Sequence, residues 1–202
     1  MIDELREQGE DSGATRLAMA YARVAQGGVL SSQANQAAAA QKYRDALEML
    51  NSIATQSAES RNAAALEGQA YLGLGTAESR MPDDASRQNF RDAVQHLRRA
   101  QEIARNLNAL DLTNLPASAS HMEAGARLAR TLYSKGVLSE ATEVANATLV
   151  LANRVLQLRP DYRPAIQATA GAARVLADID YNNHGRVTAA LKHYQESSAA
   201  LV

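Results

Sequence analysis

Ala39, Tyr43 and Ala46 stand four and three positions apart, so on a helix they form one stripe that is small, large and small again. The pattern recurs at Ala93, Leu97 and Ala100, again at Ala190, Tyr194 and Ser197, and more weakly at Thr148, Ala152 and Val155. A small residue lets a neighbouring backbone approach, and a large one fills the wedge beside it. A helix with such a stripe is gripped between two others. The helices just before each stripe carry small residues of their own, Ala18, Gly68, Ala129 and Ala170, which predict close approach within each pair. The expected unit is a helical hairpin, used four times.

Composition agrees. Aromatics make up 4% of the 202 residues, alanine is abundant and β-branched runs are scarce, which favours an all-α fold. Periodicity predicts helices over 14–26, 36–57, 60–79, 87–107, 120–135, 139–159, 162–180 and 187–201. Gly27, Gly75 and Gly136 read as helix ends. Ser120 with Glu123 reads as a capping box, Ser139 as a further cap, and Asp161 with Pro164 as a helix start after Pro160. Residues 1–13 form a polar segment, and 14–202 is expected to be one helical domain.

The charge balance excludes some partners. Formal charge is −1, so there is no basic field to draw the chain onto phosphate backbones, and no nucleic-acid partner is expected. Cysteine is absent, which removes disulfides and thiolate metal sites. The opening MIDELREQGEDSG is acidic, and no apolar run approaches the roughly 18 residues of a span. No membrane partner is expected, and a cytoplasmic location is favoured.

Motifs for chemistry are lacking. Asp178, Asp180 and Asn182 match the first ligands of a calcium loop, but Asn183 stands where that loop needs glycine and Ala189 where it needs a closing glutamate. That stretch, 178–185, reads as a polar connection. His96, His121, His184 and His193 have no ligand or triad partner at diagnostic spacing. YLGLG at 71–75 is too short for a phosphate loop and reads as a helix ending at glycine. Asn146-Ala-Thr148 is a formal glycosylation acceptor that falls within a helix. Arg91, Arg98, Arg99 and Arg105 give one helix a basic face interleaved with Asp92 and Glu102, as solvated faces are. The expectation is no enzyme, no metal and no cofactor.

Several segments together resemble the tetratricopeptide-repeat family: the Ala-x-x-x-Tyr/Leu-x-x-Ala runs at 39–46 and 93–100, Leu-Ala-x-x-Tyr at 17–21, and LQLRPDYRPA at 156–165. Residues 14–47 are similar to repeat regions attached to bacterial serine/threonine kinases and to winged-helix or cyclase regulators. One departure stands out: the large residues recur at about 50 positions rather than the family's ~34. An open stack and a closed bundle both meet the pattern.

The resemblance implies a right-handed α-α superhelix, a TPR-like solenoid of about four helical hairpins with long or irregular inter-helix segments. It also implies a protein-binding scaffold whose groove holds a peptide or partner protein, as the regulatory part of a larger protein. Projected onto this chain, the groove exposes Met19, Arg23, Asn62, Gln69, Arg130, Tyr133, Gln167 and Arg174. Arginine and tyrosine there suit an acidic or extended peptide. The alternative is a structural role, with alanine-rich helix faces, such as that of 187–202, pairing two copies as a homodimer.

Overall fold

The computed structural model describes residues 13–51, 53, 58–82, 87–110 and 114–199. Those residues are mostly helical and contain no strand. The helices are α1 (Gly13–Ser32), α2 (Gln36–Asn51), α3 (Ala58–Ser79), α4 (Gln88–Leu110), α5 (Leu115–Ser134), α6 (Leu138–Leu158), α7 (Arg163–His184) and α8 (Val187–Ala199). Residues 1–12 of the expected polar segment, 52 and 54–57 of the second expected helix, 83–86 and 111–113 of two expected breaks, and 200–201 of the last expected helix fall outside the described residues, as does the Ser197 side chain, while Gly13, expected in the polar segment, opens α1. Tertiary contacts gather the chain into two units, Met1–Ile103 and Ala104–Val202.

In the first unit, the stripe on α2 is buried as its spacing requires. Ala39 and Ala46 are fully buried and Tyr43 is nearly so. Tyr43 packs with Ala40, Leu74 and Ala77. A second cluster gathers Ala20, Ala46, Leu50, Leu66 and Ala70. The Tyr43 ring needs space on both sides, and two glycines provide it. A Cβ on Gly27 would meet the ring at 2.8 Å, and one on Gly73 would overlap it.

That requirement corrects two expected helix ends. Gly27 lies inside α1, which runs on to Ser32, and Gly75 lies inside α3. Glycine inside a helix costs about 1 kcal/mol relative to alanine, less than the overlap an alanine would create here. Gly75 admits Leu97 and the Ala93 carbonyl of α4, where a Cβ would stand 2.8 and 2.9 Å away. The α4 stripe of Ala93, Leu97 and Ala100 is accordingly buried. Ala18 does not take the close position expected of it. It is exposed, along with Tyr21 of the Leu-Ala-x-x-Tyr run, and the neighbouring Ala20 is buried instead. Asn35 opens α2 by accepting from the Ala38 amide, after Ala34 turns the chain at φ 61°.

In the second unit, α6 packs against both α5 and α7, α5 also meets α7, and α8 lies on α7. The core holds Met122, Ala152, Val155, Ala165 and Ala168. Thr148, the polar member of the α6 stripe, is buried with its hydroxyl donating to the Val144 carbonyl. Gly136 does end a hairpin, at φ +79°. Two expected caps are corrected. Helix α5 opens five residues before Ser120, with Asn114 accepting from the Ala117 amide and Pro116 in the first turn. Ser139 lies inside α6, whose cap position is Val137 with no side-chain bond. Helix α7 runs through the expected polar break to His184 and stops at Gly185, φ 62°. Asp178, Asp180 and Asn182 are therefore helical and form no loop. Of the two described side chains of the α8 stripe, Ala190 is buried, whereas Tyr194 is 38% exposed. Among the described helices of this unit α8 packs only on α7, so the grip that buries Tyr43 and Leu97 has one jaw here.

Candidate functional site

Helices α5 and α7 both pack on α6, and where they face each other their side chains are short. Ala119 and Ala126 on α5 meet Ala168, Ala170 and Gly171 on α7. A Cβ on Gly171 would sit 3.7 Å from that of Ala126, an ordinary contact, so the two walls come close without clashing. The result is a groove of about 450 Å³. That volume falls in the range of ligand-binding clefts.

Longer polar side chains rise from the rims. Glu123, Arg127 and Arg130 stand on α5, spaced four and three apart on one stripe; Gln167 and Arg174 stand seven apart on α7. Three guanidiniums therefore share the groove with one carboxylate. Glu123 is paired to Arg127 at 3.5 Å. Among the described residues, neither Arg130 nor Arg174 is in an ion pair.

Beyond Arg130 and Arg174 the groove closes. Tyr133, one turn after Arg130, accepts a hydrogen bond at 3.1 Å from the Asn182 amide of α7. Asp178, one turn after Arg174, accepts from the Tyr194 hydroxyl of α8 at 2.6 Å. That bond comes first among the causes that hold the Tyr194 hydroxyl above its ordinary pKa, with desolvation and the Asp178 and Tyr133 charges acting the same way and Arg174 opposing.

Of the eight residues expected in a groove, the structure brings Arg130, Gln167 and Arg174 together and sets half-buried Tyr133 beside them. Met19, Arg23, Asn62 and Gln69 belong to the first unit. There Arg23 bonds Gln26 at 3.1 Å, Met19 is half-buried, and Asn62 and Gln69 are exposed. Sequence reading missed Arg127 and gave Glu123 to a helix cap. The spacing 123, 127, 130 lay within the expected helix and was the available signal, set aside when Glu123 was assigned to the cap.

Ionisable groups also meet in the first unit. Glu78 on α3 is 2% exposed and holds Arg44 of α2 at 2.8 Å and His96 of α4 at 2.6 Å. His96 also stacks on Tyr71, with ring centroids 5.7 Å apart. Each charge here is matched, so the cluster reads as a cross-link between three helices. His193 lies 3.1 Å from Glu196 and 3.8 Å from Asp180, which Arg186 pairs at 2.7 Å. His121 is half-buried, and among the described residues its Nδ1 has no hydrogen-bond partner. Burial first, then the Arg105 charge, pushes its imidazole below the ordinary pKa. The side chain of His184 lies outside those described. No group of three His, Cys, Asp or Glu side chains among the described residues is placed to hold a metal ion. No described helix is long and apolar enough to cross a membrane.

No family model, curated protein or solved structure matches this chain.

Proposed function

We propose that the chain is a protein-interaction module, a TPR-like stack of helical hairpins that holds an extended, acidic segment of a partner between α5 and α7. One observation carries this reading: arginines from two different helices converge on an alanine-floored groove whose described lining holds one carboxylate, that of Glu123. A shallow apolar floor accepts a backbone, and Arg supplies fixed donors that match carboxylates. Array-bound acidic peptides test it. Arg130→Glu with Arg174→Glu is expected to abolish binding that the parent chain shows, and equal binding by both proteins would remove the groove from consideration.

A second reading is self-association. Val187 and Leu191, one turn apart on α8, are 59% and 57% exposed. Two such rows from two copies would cover one another. Sedimentation decides between them: Leu191→Glu shifts a dimer to monomer if α8 is the contact, and a monomer at every concentration ends this reading.

A further inference from the structure

Arg174 and Asp178 are one turn apart on the same face of α7, the spacing at which opposite charges pair. Among the described residues they do not pair. The Asp178 carboxylate instead takes the Tyr194 hydroxyl at 2.6 Å, a short charge-assisted bond. Tyr194 arrives from α8, whose hold on α7 rests on buried Ala190. The tyrosine thus reaches the groove end from outside the two helices that form the groove. Asp178 holds Tyr194 and stands one turn from Arg174, so Arg174, Asp178 and Tyr194 occupy one neighbourhood.

A carboxylate with no such donor would turn to the adjacent guanidinium. We propose that Tyr194 is a positioning residue that sets the charge selectivity of the groove, engaging Asp178 so that Arg174 stays available to an acidic ligand. This rests on the groove being the binding site. It gives the exposed tyrosine at the stripe position of α8 a use: its hydroxyl, and not its ring packing, is the working part. It also gives α8 a role at the site without a place in its walls.

The test uses the full chain and a fluorescein-labelled oligoglutamate peptide at low ionic strength, where exposed pairs are least screened. Tyr194→Phe keeps the ring and removes the donor. It is expected to weaken the probe about threefold, the scale of one surface ion pair lost or gained. Adding Asp178→Asn to Tyr194→Phe is expected to restore affinity, because no carboxylate is left to claim Arg174. If Tyr194→Phe binds like the parent while Arg174→Ala weakens the probe, the positioning role is overturned and the groove reading stands. If the parent does not bind the probe, the groove reading falls. A crystal structure of Tyr194→Phe tests the positioning of Asp178 separately: Asp178 within ion-pair distance of Arg174 shows that the Tyr194 hydroxyl holds it away, and an unmoved Asp178 overturns the positioning role.

Discussion

Glycine carries opposite meanings along this chain, and only its neighbours tell which applies. Gly136 and Gly185 take positive φ and end hairpins or helices. Gly27 and Gly73 sit inside helices because the Tyr43 ring occupies the space a side chain would fill. Replacing Gly73 by alanine gains about 1 kcal/mol of helix propensity and loses about 3 kcal/mol to overpacking. The net expectation is a loss of about 2 kcal/mol, measured by urea unfolding. Pairing it with Tyr43→Leu should recover part of that loss, since the two positions are in contact and do not add. His121 gives a pH prediction. Its folded pKa lies below the ordinary 6.5, so the unfolded chain binds the proton first. Stability is therefore undiminished above 6.5 and falls as pH drops from there toward the folded value. Thermal melts of His121→Leu should show a flatter dependence between neutral and mildly acid pH. A slope equal to the parent's would assign the acid sensitivity to other groups.

At the scale of elements, helices were legible and their ends were not. The stripes of α2 and α4 are buried at every position the spacing named. Periodicity is local, and three residues on one face meet the core together. Starts and stops failed where a cap competes with a plausible alternative: Ser120 and Glu123 have the spacing of a capping box, yet Asn114 and Pro116 open α5 one turn and a half earlier. Glu78 shows how elements are joined. It receives α2 through Arg44 and α4 through His96 while remaining buried on α3. Glu78→Ala leaves His96 without its partner, but half-exposed Arg44 can return to water. The expected loss is about 2 kcal/mol, below the range for breaking a fully buried pair. Glu78→Gln, which keeps a hydrogen-bonding side chain, should lose less. Equal losses would mean that the charge, which both variants remove, matters at this position, and not packing or hydrogen bonding.

At the scale of the molecule, the proposed groove belongs to one of the two units. Every lining residue of the groove lies in Ala104–Val202. Glu78→Ala should therefore lower the unfolding midpoint while leaving the affinity for an acidic peptide unchanged within about twofold, as sites that share no partners act independently. A parallel drop in affinity would tie the groove to the first unit. The sequence alone determined that the described chain is helical and which stripe of α2, α4 and α6 is buried, because the helical period and side-chain size act within a few residues. Tertiary structure decided which glycines are spaces and which are stops, and which arginines share a groove. Tyr43 and Gly73, or Arg130 and Arg174, are dozens of positions apart, and no local preference encodes their meeting.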